Sequence, residues 1–204
     1  MSFESYSSLK TTIANYLARN DLTDQIPDFI RLAEYRLRRE IRIRQMLKSA
    51  TTATTAGDKT IELPTDFLEA RDIFVVGNPS QSLSYVSPSA LTANSRSTQS
   101  GKPNQYTVLA SEFQLSPIPD SNYTVEMLYY AAPTLLSDSN ASNVFLANLP
   151  DMLLYGALLE AEPYLMNDAR LQTWIGMYSR AGESVIKSDT RGQYTGVPIS
   201  IKAV

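Results

Sequence analysis

The chain contains no histidine and no cysteine. Zinc centres built on those ligands, cysteine nucleophiles, the usual imidazole base and disulfide staples are therefore excluded. Carboxylate, lysine, tyrosine, serine and above all arginine remain. Six of the twelve arginines (Arg31, Arg36, Arg38, Arg39, Arg42 and Arg44) fall between Arg31 and Lys48, opposed only by Glu34 and Glu40. That segment carries about +5, and the remainder of a chain of net charge −3 carries about −8. Guanidinium groups at this density have three uses. They pair with local glutamates on a solvated helix face, they grip carboxylates across a protein interface, or they bind nucleic-acid phosphates. Two glutamates cannot pair six arginines, which favours the interface. A pI near 5.1 disfavours a dedicated nucleic-acid-binding module.

The carboxylates provide the enzyme test. Glu160 and Glu162 lie two apart, so on a helix they point to different faces. Asp66 and Glu69 flank a strand, and Glu112 and Glu126 fall on hairpins. A hydrolase needs two carboxylates held across a cleft, and no pair stands out. The sequence has no glycine-rich phosphate loop, nucleophile elbow or metal-ligand cluster. The chain reads as non-enzymatic and without a cofactor, a carboxylate hydrolase being the enzyme alternative.

The arginine segment sits on a predicted helix from Pro27 to about Gln45. Its apolar stripe is Ile26, Ile30, Ala33, Leu37 and Ile41, and Glu34–Arg38 and Glu40–Arg44 are acid-before-base pairs at i, i+4. A preceding helix spans about Ser5–Arg19, with Ser5 as cap. After Ser49 the texture becomes β-branched and turn-rich. Strands are predicted around Thr60–Leu63, Ala70–Val76, Leu83–Val86, Gln105–Leu109, Glu112–Leu115 and Tyr123–Tyr130, with one helical turn at Pro88–Ala93 and a Ser-rich loop at Asn94–Gly101. Helix returns at Pro150, with Pro163 set to end or kink it. A last helix, capped by Asp168, places Leu171, Trp174, Ile175, Tyr178, Val185 and Ile186 on one side.

The expected architecture is α+β. A helical body formed by residues 1–48 and 134–188 carries an inserted antiparallel β domain, 49–133, and an extended C-terminal tail follows at 189–204. Gly192, Gly196 and Pro198 argue against helix in the tail. Its apolar residues Val197, Ile199 and Ile201 alternate with Pro198, Ser200 and Lys202 and, with Tyr194, are candidate contacts to a neighbour. At 43% apolar and 19% charged residues the chain is globular in composition. Its apolar runs are too short to cross a bilayer, no signal peptide is evident, and synthesis in a cytoplasm is expected.

Three stretches of the first helices, Tyr16–Leu22, Ile26–Glu34 and the arginine-rich Arg36–Arg44, stand in a characteristic order. Leu63–Glu69, Lys102–Tyr106, Leu115–Asp120, Tyr123–Tyr130 and Pro133–Leu135 come after them. Over about residues 3 to 187 this series resembles the phage head-to-tail adaptor proteins, the connectors of short-tailed phages, similar in role to tail tubular protein A. The resemblance implies a virion protein that forms a ring of twelve copies docked on the portal protein. It also implies a tail nozzle protein below and genomic DNA passing through the channel. Under that reading Arg31, Arg36, Arg38, Arg39, Arg42, Arg44, Tyr194, Val197, Ile199 and Ile201 are the candidate subunit or portal contacts. A nucleic-acid-binding role for the arginine helix is the alternative.

Overall fold

A computed structural model describes residues 3–95, 99–166 and 169–193. The chain divides into two compact units: residues up to Gln45 with those from Pro133 onward, and residues 46–132.

The first unit is helical. Helix α1 (Tyr6–Leu17) starts at a capping box in which the Ser5 side chain accepts from the Ser8 N–H, and it buries Leu9, Ile13 and Leu17. Helix α2 (Ile26–Glu40) has Pro27 in its first turn, where the missing N–H costs nothing, and buries the stripe that its sequence predicts. It stops at Glu40 rather than near Gln45. Ile41 turns to an extended conformation (φ −112°, ψ 134°), so Ile41 and Ile43 are both buried with Arg42 between them. That is a two-residue period, which a helix could not satisfy. A single 3₁₀ turn at Arg44–Met46 follows.

The remaining helices come after the β unit. They are the short α4 (Val144–Asn148), α5 (Pro150–Leu165) and α6 (Leu171–Gln193). Helix α5 is central: it packs against α1, α2, α4 and α6 and is buried at Met152, Leu153, Leu154, Ala157, Leu158 and Ala161. Gly156 lets the neighbours approach, since a Cβ there would lie 3.3 Å from Ala33 Cβ and 3.4 Å from the Tyr178 ring. Pro163 is tolerated in the last turn, and the helix closes three residues later on a left-handed Met166 (φ 53°). In α6 the inner line is Trp174, Tyr178, Ala181, Val185 and Asp189. Ile175 and Ile186, predicted to face inward, lie off that line and are exposed. The helix also continues past the predicted start of the extended tail. Asp189 to Gln193 is its last turn, with Gly192 inside it, and Tyr194, Val197, Ile199, Ile201 and the cap residue Asp168 lie outside the described residues.

The second unit is a sandwich of two four-stranded sheets. One has the order β1 (Leu47–Ala53), β8 (Thr124–Ala131), β3 (Phe67–Val75), β4 (Gln81–Ser82). The other has the order β2 (Thr60–Glu62), β7 (Glu112–Ser116), β6 (Gln105–Leu109), β5 (Ser84–Tyr85). The pairing is antiparallel, as expected, except for the two-residue pairing of β5 with β6, which is parallel. A connection through α3 (Pro88–Ser95), longer than the single turn predicted, carries the chain from β5 to β6 in the same direction.

Strict alternation in β8 sends Val125, Met127, Tyr129 and Ala131 into the core. There Phe67 stacks on Tyr129 and meets Phe113 edge-on, and Phe113 meets Tyr106 edge-on, at centroid distances of 5.6–5.9 Å. The Tyr129 hydroxyl donates to Asp66 (2.8 Å), which also accepts from Lys48 (2.6 Å). Burial and that bond push the Tyr129 phenol up to about 12.

The β6–β7 hairpin turns on Ala110 and Ser111, with Ala110 in the left-handed region at φ 53°. A Cβ there is strained by roughly 1–2 kcal/mol, partly offset by glycine's greater unfolded entropy. Ala110→Gly is therefore expected to stabilise the protein by about 0.5–1 kcal/mol, read as a higher urea midpoint with an unchanged m-value.

Candidate interaction surface on the arginine helix

Three sides of α2 are committed within its own unit, and the fourth is left open. The inner side is the apolar stripe. On one flank Glu34, 1% exposed, turns inward. Its carboxylate accepts from the backbone N–H of Leu136 (3.1 and 3.2 Å) and from Asn143 Nδ2 (2.6 Å). Asn143 also caps α4 through the Leu146 N–H (3.0 Å) and donates to the Thr134 carbonyl (2.9 Å). One buried acid thus ties α2 to the 133–143 segment that returns from the β unit. Desolvation raises its pKa against the lowering influence of these hydrogen bonds. On the same flank Arg38 donates to the Pro133 carbonyl and lies over the Tyr35 ring.

On the other flank Arg36 pairs with Glu160 of α5 at 2.5 Å and approaches the Tyr178 ring of α6. The Tyr178 hydroxyl donates to Glu40 at 2.6 Å, and burial, reinforced by that bond, raises the phenol's pKa. Arg42 donates to the Arg38 and Ile41 carbonyls (2.7 and 2.8 Å), satisfying acceptors that the end of α2 leaves open. Arg44 sends its backbone N–H and its Nε to Asp189 of α6, at 3.0 and 3.1 Å. Its guanidinium occupies the place a side chain would take at Gly192.

The pairs inferred from spacing are thus replaced. Glu34 is not surface partner to Arg38, because its carboxylate serves the returning chain. Glu40 is not partner to Arg44, because the helix ends between them.

What remains outward is Asp28, Arg31, Leu32, Tyr35 and Arg39, one face of α2 at helical spacing. Leu32 is 49% and Tyr35 41% exposed. Neither Arg31 nor Arg39 forms a hydrogen bond or salt bridge with a described residue. Tyrosine and arginine, exposed together here, are residue types enriched at protein interfaces. Of the predicted contact residues, Arg31 and Arg39 lie on it. Arg36, Arg38 and Arg44 are engaged within the unit. Glu34, Leu32 and Tyr35 were missed by sequence reasoning. A glutamate on the edge of an apolar stripe was the only signal for the first.

No curated protein matches the chain. The family of phage head-to-tail adaptors described as SU10 adaptor protein matches over residues 5–200.

The raised Glu34 pKa sets a pH dependence. The folded state holds this proton more tightly than the unfolded chain, so the contribution is full below the ordinary value of 4.5 and falls as pH rises through the folded value. The stability of the wild-type protein relative to Glu34→Gln should therefore increase as pH is lowered from 7 towards 4, measured by urea unfolding at each pH. Glu34→Ala, which removes the acceptor for the Leu136 N–H, should cost about 1–3 kcal/mol, most at low pH.

A match over nearly the whole sequence, with helices and sheets in the order the sequence resemblance anticipates, makes this chain a member of the SU10 adaptor protein family, a structural component of a phage virion.

Proposed function

We propose that the protein forms a ring, a dodecamer by analogy with the adaptors it resembles, that joins the portal protein to the tail nozzle protein and lines the DNA exit channel. The observation carrying this reading is the outward face of α2, where Leu32 and Tyr35 are exposed and Arg31 and Arg39 have no hydrogen-bond or salt-bridge partner among the described residues. Closed rings need heterologous contacts, in which one patch meets a different patch on the next copy.

Arg36, Arg38 and Arg44 already have acceptors inside the unit. That leaves fewer cations for DNA than the sequence count implies and favours a protein partner. It also suits a channel through which a genome must pass without sticking.

The test is to mix the protein with purified portal and image the complex. An added ring is expected with the wild-type chain. Arg31→Glu combined with Arg39→Glu should weaken docking by about a hundredfold or more, since like charges set across an interface cost several kcal/mol. Melting temperature should be unchanged. Undiminished docking by that variant would remove the α2 face from the assembly. In a gel-shift assay the wild-type protein should bind DNA weakly, without sequence preference, and lose it as salt rises. Specific binding with a Kd of about 10⁻⁸ M or tighter would replace this proposal with the nucleic-acid reading.

A further inference from the structure

We infer that the open side of the β sandwich is a socket for residues 197–202 of a neighbouring copy of this chain, added as a fifth strand beside β1. The choice of a neighbouring copy as donor rests on the ring reading above. The socket itself rests on the sandwich.

Strand β1 is the edge of one sheet and β2 the edge of the other. β1 pairs with β8 along seven residues on one side, and no described residue pairs with its other side. An exposed edge of that length is a template for another strand. The register sets Lys48 opposite Tyr129, Ala50 opposite Met127 and Thr52 opposite Val125. Residues opposite one another share a face, so β1 turns Lys48, Ala50 and Thr52 toward the core, where β8 supplies large apolar groups. Ala50 and Thr52 are too small or too polar to fill that space.

The result is a cleft of about 290 Å³ beneath β1, floored by Ile61, Leu63, Ile73, Phe113 and Met127. That is about twice the roughly 150 Å³ of an apolar cavity that takes up benzene. Lined mainly by apolar side chains, it fits branched aliphatic groups.

The segment Val197-Pro198-Ile199-Ser200-Ile201-Lys202 carries such groups at every second position. In a strand, residues two apart share both their side-chain face and the direction of their N–H groups. With Val197, Ile199 and Ile201 turned into the cleft and bonded to β1, Pro198 falls on the positions whose N–H would face solvent. That is where an edge strand accepts proline. Lys202 then stands on the outer face, as does Glu126, which pairs with Thr51 in register and accepts from Ser49 (3.1 Å). Three residues, 194–196, join Gln193 to this segment, so Val197 lies at most about 13–14 Å from the end of α6 at 3.3–3.6 Å per residue, and the socket must come that close. The contact joins two different patches, so it repeats from copy to copy around a ring.

The natural absence of cysteine makes disulfide trapping clean. Thr51→Cys or Ser49→Cys in one full-length protein, mixed with Ser200→Cys in another on purified portal under mild oxidation, should give a covalent heterodimer. Directly opposed Cβ atoms of paired strands lie within disulfide reach. Combining Ile199→Asp with Ile201→Asp in the Ser200→Cys chain should cut the yield at least tenfold without lowering the melting temperature. Ala50→Leu, which fills the cleft, should cut it similarly while the protein remains folded by circular dichroism. No heterodimer, or a yield indifferent to the two aspartates, overturns the socket. A cross-link confined to single chains carrying both cysteines overturns the neighbour as donor. A portal ring that images normally without trapping sinks this inference and leaves the ring standing. Trapping without a ring on the portal does the reverse.

Discussion

A carboxylate in a core must have its charge answered, and at Glu34 the returning chain supplies the answer. Its oxygens are met by the Leu136 N–H and the Asn143 amide, both on the segment that comes back from the β unit. The rotation of α2 about its own axis is thereby set. With Glu34 inward, Arg38 reaches the Pro133 carbonyl and Arg36 faces Glu160, so Arg31, Leu32, Tyr35 and Arg39 have nowhere to point but out. An uncompensated buried acid would cost several kcal/mol, so which face of α2 is turned outward depends on that desolvated group.

The absence of any catalytic motif takes on a different sense in this setting. An adaptor acts through surfaces, and the residues that make a surface have no obligatory spacing. The family match and the ordered series of segments identify what the protein is. Which charged residues remain open to a partner emerges only when the interior contacts have been subtracted.

Periodicity made much of the fold legible. β6, β7 and β8 follow from alternation and a two-residue turn, and the α2 stripe from its three-to-four spacing. The end of α2 was missed although Ile41-Arg42-Ile43 carries a two-residue period. Three residues are too few to outweigh a helical pattern fifteen residues long. The links between Glu40 and Tyr178, and between Arg44 and Asp189, join positions more than a hundred residues apart, and no local pattern announces them. Gly192 misled for a related reason. Glycine reads as a helix breaker when its neighbour is unknown, whereas here the space it leaves is filled by a guanidinium.

The contact between Arg44 and Asp189 has a mechanical side. It joins the final turn of α6 to the chain two residues before the β unit begins at Met46. Tension applied beyond Gln193 would reach this junction before it reached the apolar interior. There it would be resisted by two hydrogen bonds to one carboxylate and by a guanidinium lodged over a glycine. Resistance to pulling is governed by how fast such a junction opens rather than by the equilibrium stability of the whole fold. For a virion component, the contact between Arg44 and Asp189 is thus the first interior bond met by a load on the end of α6.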